Sequence, residues 1–95
     1  MDLSIAHKEN GTRGVFYIEG LSGIISELTY QRDHHDVMTI DHTETKRKEQ
    51  GKGMAGKLVK HAVQYARENK LKIEPLCPYA EVQFDKHPEY ADVRA

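Results

Sequence analysis

A chain of 95 residues with two Phe, five Tyr and no Trp has the length of one domain and must build its core from aliphatic side chains. It holds no apolar run long enough to span a bilayer and no signal-peptide h-region, and its lone cysteine, Cys77, has no intrachain partner; a single domain over 1–95, cytoplasmic, reduced and without a membrane partner, is expected. The formal charge of −1 hides an asymmetry: from Lys46 to Lys72, nine Lys or Arg face only Glu49 and Glu68, a net of +7 that leaves −8 on the rest.

In chain order, Leu3, Ile5 and His7 alternate before the turn signal Asn10-Gly11. Val15 to Ile18 is a short apolar run ended by Glu19-Gly20, and Ser22 to Gln31 carries Ile24, Ile25, Leu28 and Tyr30. The polar turn Arg32 to Asp36 leads to Val37-Met38-Thr39-Ile40. Four strands joined by short turns make an antiparallel meander. The period then changes. Met54, Ala55, Leu58, Val59, Ala62, Val63 and Ala66 recur at helical spacing, with Lys57, Lys60, His61, Gln64 and Arg67 on the other face and Asn69 as the stop. Leu71 to Glu74 is a fifth strand ended by Pro75, and a helical crossover places it parallel to the fourth. Pro78 opens a short helix over Tyr79 to Lys86, which His87-Pro88 ends. The class is α+β.

The segment Gln50-Gly51-Lys52-Gly53-Met54-Ala55-Gly56-Lys57 opens directly into the amphipathic helix. A small-residue turn there presents free N–H groups and the positive end of the helix dipole, which bind phosphate. Gly51, Gly53 and Gly56 spell a dinucleotide fingerprint, but the polar run Thr43 to Glu49 stands where a strand is needed, and only one strand follows. Gly51 with Gly56-Lys57 has P-loop spacing, but Leu58 stands where Ser or Thr would hold magnesium. A third pattern, Q/R-x-x-G-x-G/A, is met by Gln50, Gly53 and Ala55.

That pattern, taken with Ile40-Asp41-His42-Thr43, Cys77-Pro78-Tyr79-Ala80 and His87-Pro88-Glu89-Tyr90, resembles the minimal single-domain branch of the GNAT superfamily of N-acetyltransferases, over roughly residues 14–93. Gln50 departs from the Arg of many members and leaves the phosphate site one charge fewer. The resemblance implies acetyl-CoA as cosubstrate and an amine acceptor of unknown identity. It also implies splayed fourth and fifth strands, with the backbone of Ile40, Asp41, His42 and Thr43 pairing with the pantetheine arm as an added strand. Amides of Gly51, Lys52, Gly53, Met54, Ala55 and Gly56 would hold the pyrophosphate, flanked by Gln50 and Lys57, and an N–H near His42 or Thr43 would polarise the thioester carbonyl. Lys46, Arg47, Lys48 and Lys52 stand in sequence where CoA phosphates would meet them.

Cys77 precedes Pro78 at a helix start, a setting that makes a cysteine reactive; nucleophile, acid and wall of the acetyl pocket all remain open for it. His42 is read on one strand face with Met38 and Ile40, as a general base or a structural histidine. Tyr79 could protonate the leaving thiolate or pack its ring on the sheet. His34-His35 lies in a polar turn, and His87-Pro88-Glu89-Tyr90 reads as docking of the C-terminal segment. Asp41, His42, Cys77 and His87 match no compact zinc motif, so no metal is expected. Two other functions compete: a CoA-binding module without catalysis, and a nucleotide or nucleic-acid binder using the basic helix. The acidic remainder and scarce aromatics weigh against nucleic acid. The chain does not fix an oligomeric state.

Overall fold

The structure, a computed structural model that describes residues 4–95, opens with four strands joined by short turns. β1 (Ala6–Asn10), β2 (Arg13–Gly20), β3 (Gly23–Arg32) and β4 (Val37–Thr45) pair antiparallel in chain order. Helix α1 (Met54–Glu68) carries the chain back, and β5 (Lys72–Pro75) joins β4 in parallel, closing a five-stranded sheet of order β1-β2-β3-β4-β5. Helix α2 (Pro78–Lys86) and a 3-10 segment, Pro88–Val93, complete it. The expected meander, central helix, parallel fifth strand and short C-terminal helix are all present. Ile5 and His7 are half-buried, as is Ala6 between them, β1 begins only at Ala6, and Leu3 lies outside the described residues. Among the described residues no helix is long and apolar enough to cross a membrane.

Strand alternation turns Phe16, Ile18, Leu28, Tyr30, Met38 and Ile40 to one face of the sheet, where they share one core with the apolar stripe of α1. Ala80 and Phe84 of α2, and Tyr90 and Val93 behind it, join the same core. Each fully buried Leu, Ile or Val contributes roughly 1.5–3 kcal/mol there. Tyr30 is the largest wholly buried side chain, and Gly14 makes room for it: a Cβ at that position would stand 2.2 Å from Tyr30 Cζ. The phenol donates to Glu9 at 2.8 Å and meets His7 Nε2 at 2.5 Å, and among the described residues no buried side-chain oxygen is left unpaired. Burial, with help from Glu9, raises the Tyr30 phenol far above its ordinary pKa, and burial lowers that of His7.

The C-terminal segment is tied down by Arg67, which donates to both carboxylate oxygens of Asp92 at 2.9 and 2.8 Å and to Glu89 O at 2.7 Å. Ala95 N–H reaches Ile73 O at 2.8 Å, along the free side of β5. His87 stacks on Tyr90 with ring centroids 4.8 Å apart, so this motif does dock the segment.

Helix α1 ends in a Schellman motif past Asn69: Leu71 N–H donates to Ala66 O at 2.8 Å and Lys70 N–H to Arg67 O at 3.4 Å. The motif puts Lys70 at φ 57°, in the left-handed region that favours glycine. Lys70→Gly is therefore expected to stabilise the protein by about 0.5–1 kcal/mol, the relief of side-chain strain exceeding the added freedom of the unfolded chain. Urea unfolding at unchanged m-value measures this, and a gain of that size raises Tm by roughly 2–8 °C.

Candidate functional site

The geometry of the site begins with one extra residue in β4. Tyr30 pairs with Ile40 but Thr29 pairs with His42, so Asp41 is the inserted residue of a β-bulge. The insertion shifts the alternation. Before it, Met38 and Ile40 point into the core under α1. After it, Thr43 and Thr45 take that side, opposite Leu28 and Ser26, while His42 and Glu44 stand opposite Thr29 and Glu27 on the face that no helix covers. His42 therefore does not share a face with Met38 and Ile40 as expected; a bulge exchanges faces for every residue beyond it. The His42 side chain is exposed, with Nε2 3.8 Å from Glu44 Oε2, and Asp41 accepts from Thr29 Oγ1 at 2.6 Å.

The same strand parts from β5. Parallel pairing runs from Val37 with Lys72 to Ile40 with Pro75 and stops. Ile40 O then accepts two amides at once, from Leu76 at 3.1 Å and Cys77 at 3.0 Å, and the chain turns away into α2. β4 continues through Asp41 to Thr45 with β3 on one side and, among the described residues, no strand on the other. The strand therefore extends past His42, the last residue placed on its face from the sequence, through Thr45. The Ile40 carbonyl, engaged by Leu76 and Cys77, is not free to pair with an added strand; the stretch from Asp41 onward is.

A cleft of about 500 Å³ fills this divergence, lined by Thr43, Thr45, Glu49, Gln50, Gly53 and Tyr79 among others. At its floor α1 begins. Gly51 at φ 82° and Gly53 at φ 80° take conformations that a branched residue adopts only under strain, and a Cβ at either would meet nothing within 4 Å. The backbone conformation, not crowding, calls for glycine there. Helix α1 has no side-chain cap and no acidic residue in its first turn, so the N–H groups of Met54, Ala55 and Gly56 face outward unspent. The Met54 side chain is buried, whereas its amide is at the helix start. Gly56 marks the approach to α2, where an added Cβ would lie 3.5 Å from Tyr79 Oη. Gln50 Nε2 donates to Thr45 O at 3.1 Å and ties the loop to β4. Lys52 pairs with Glu49 at 2.9 Å, which alone among the four expected phosphate-contacting cations gives it a partner inside the loop. Lys57 is exposed and lies outside the cleft lining.

Cys77 is buried at the N-cap of α2; Ala80 N–H donates to its sulfur at 3.4 Å, and Thr43 Oγ1 lies 3.6 Å from it. Tyr79, half-exposed at the cleft mouth, has its phenol raised above the ordinary pKa by burial first and by Cys77 second, so it keeps its proton at neutral pH. Thr43 and Tyr79 line the cleft, Cys77 lies buried against Thr43 and outside the cleft lining, and His42 stands on the open side. Sequence reasoning missed the hydroxyl of Thr43 and the contribution of Thr45; the signal was their alternation past the apolar run. Among the described residues no group of three His, Cys, Asp or Glu side chains converges as a metal site.

The arrangement has counterparts in known proteins. Residues 15–93 match the family model of the GCN5-related N-acetyl-transferase. The NMR solution structure of a GCN5-like protein from Staphylococcus aureus has a TM-score of 0.70 at 34% identity, over 98% of this chain and 88% of that one. The ribosomal-protein-S18-alanine N-acetyltransferase of Escherichia coli gives 0.66 at 11% identity, over 82% of this chain and 53% of that one. A Bacillus anthracis protein solved in complex with acetyl coenzyme A gives 0.60 at 16% identity, over 81% and 46%. The last two share the fold alone, and this chain spans about half of their length. No curated protein matches the chain. The family model spans β2 to the C-terminal segment, and the S. aureus relative extends the likeness over nearly the whole chain: the protein belongs to the GCN5-related N-acetyl-transferase family.

Proposed function

We propose that this protein transfers an acetyl group from acetyl-CoA to an amine through the divergence of β4 and β5. One observation carries the reading: the unaccompanied edge of β4 and the open start of α1 line the same cleft, through Thr43 to Thr45 and Gly53 to Ala55. An extended amide chain ending in a pyrophosphate has the shape and chemistry for that pair of features. The pantetheine amides pair with the edge as an added strand, and the pyrophosphate takes the amides of the glycine loop and the first turn.

The thioester then lies at the bulge, where an N–H of His42 or Thr43 polarises its carbonyl. The acceptor amine arrives from the open face. Its nitrogen attacks the thioester carbon; the C–N bond forms, the C–S bond breaks, and CoA leaves as thiolate. His42, beside Glu44 on that face, takes the amine proton, and Tyr79 or Cys77 supplies one to the thiolate. Direct transfer of this kind needs no covalent enzyme intermediate, although Cys77 is close enough to Thr43 to act as a nucleophile within the same site. No helix covers the open face, so the acceptor wall is shallow and the amine can belong to a protein or to a small molecule. A single unpaired thiol suits a reducing, cytoplasmic setting.

Gly53→Val places a β-branched residue at φ 80°, costs about 1–3 kcal/mol of stability and sets a side chain beside the amides. Calorimetric titration should show CoA affinity lowered at least about tenfold in the folded variant, as expected when charge-assisted contacts to the pyrophosphate are lost. Unchanged affinity would refute the loop assignment.

Cys77 separates an enzyme from a binding module. Acetyl-CoA should protect the thiol from alkylation, and Cys77→Ala should keep CoA affinity while lowering acetyl transfer to an amine by roughly 100-fold. Restoration of turnover by Cys77→Ser assigns the residue to hydrogen bonding or pocket shape, because a hydroxyl is a far poorer nucleophile. Alkylation indifferent to acetyl-CoA, with wild-type turnover in the alanine variant, would remove Cys77 from the site.

A further inference from the structure

Past Ile40, β4 loses the apolar pattern that would hold its register. From Asp41 to Thr45 every side chain is polar, and among the described residues only β3 flanks this stretch. Its last residue is tied: Thr45 Oγ1 lies 2.8 Å from Ser26 Oγ, and Thr45 O accepts from Gln50 at 3.1 Å. With Ile40 opposite Tyr30 and Thr45 opposite Ser26, one extra residue must lie between, but these ends do not say where. Placed one pair further on, it would set both His42 and Thr43 opposite Leu28 and turn His42 from the open face. One group of side chains marks the place. Asp41 and His42 both oppose Thr29. Thr29 Oγ1 donates to Asp41 Oδ1 at 2.6 Å, the short distance of a hydrogen bond to a carboxylate, and Arg13 Nη2 lies 3.5 Å from Asp41 Oδ2. Both carboxylate oxygens are thus engaged, one from β3 and one from β2.

We propose that Asp41 is a positioning residue: gripped by Thr29, its side chain fixes the bulge and so aims the amide of His42 or Thr43 at the thioester carbonyl. This rests on the acetyl-CoA reading and names what sets the direction of the donor. A donor stabilises an oxyanion only where the charge develops, and a bulge shared between two positions would not hold one there. Apolar packing does not supply the constraint, because the apolar positions of β4 end at Ile40. The β4–β5 ladder ends at the same residue. Ser26 and Gln50 act at the far end of the strand. Thr29 supplies most of the hold, since its side chain is half-buried, whereas the Arg13 guanidinium is exposed, where an ion pair contributes little. The same contacts divide the roles of two neighbours. Asp41 stands beside His42 opposite Thr29, but its oxygens are engaged, which leaves His42 to take the amine proton.

The ¹³C resonance of acetyl-CoA labelled at the thioester carbonyl, bound to the full chain, tests this without an acceptor. In wild type the carbonyl should move downfield on binding, as it does when a hydrogen bond polarises it. Thr29→Val keeps the shape and strand propensity of threonine but removes the donor. It should hold acetyl-CoA affinity within about threefold of wild type and lose most of the downfield shift. Asp41→Ala should lose that shift as well, and Thr29→Ser, which keeps the hydroxyl, should retain it. A wild-type shift in either Thr29→Val or Asp41→Ala would overturn the positioning role and leave the acetyl-CoA reading standing. So would its loss in Thr29→Ser, because shape and not the hydroxyl would then hold the bulge. Wild type that binds acetyl-CoA with no downfield shift would overturn the role in the same way. Wild type that binds no acetyl-CoA would overturn both readings.

Discussion

A single backbone carbonyl governs the site. Ile40 O accepts the amides of both Leu76 and Cys77, which ends the β4–β5 ladder and sends the chain into α2. The bulge at Asp41 acts at the same level of β4 and exchanges the faces of the residues that follow. Together they convert a continuous sheet into one with a bare inner edge, a type of feature that proteins usually cover or blunt. Here the edge is short, its side chains are polar, and the glycine loop overhangs it through Gln50 and Thr45. It is protected against chance pairing while remaining open to a ligand with amides of its own.

The core supports this opening without filling it. Apolar packing is dense under β2, β3 and the first half of β4, and α1 presses its stripe against that region. Beyond the bulge the inward positions change to Thr43 and Thr45, with Ser26 buried opposite and 2.8 Å from Thr45 Oγ1. Hydroxyls satisfy one another there and offer polar atoms to the cleft, where aliphatic side chains would close it by drawing α2 inward. Cys77 sits at the junction of the two regimes, buried like a core residue yet in reach of Thr43. The fold thus holds Cys77 on rigid elements, the N-cap of α2 and the end of β5, just outside the cleft lining.

Much of this was legible in the residues. The helical period of Met54 to Ala66 and the proline after Cys77 each have one dominant physical meaning, and both hold, as α1 and as the first turn of α2. The glycine loop was legible because left-handed backbone at Gly51 and Gly53 leaves few alternatives. The far half of β4 was not. Period-two reasoning assumes an unbroken register, and one inserted residue reverses every later assignment, so His42 was expected on the wrong face. Asp41 to Thr45 carries no apolar run because its inward side, Thr43 and Thr45, lines a cleft. The partnership of Gly14 with Tyr30 joins strands through a contact that local pattern does not encode.

On the proposed function, the free edge of β4 and the start of α1 bind one ligand together. Titration of ¹⁵N-labelled protein with acetyl-CoA, followed by amide NMR shifts and hydrogen exchange, tests it directly. The amides of Asp41 to Thr45 and of Gly51 to Gly56 should respond together, at one dissociation constant, and the edge amides should gain protection as an added strand requires. Perturbation confined to other surfaces, or a loop that responds while the edge of β4 does not, would contradict it.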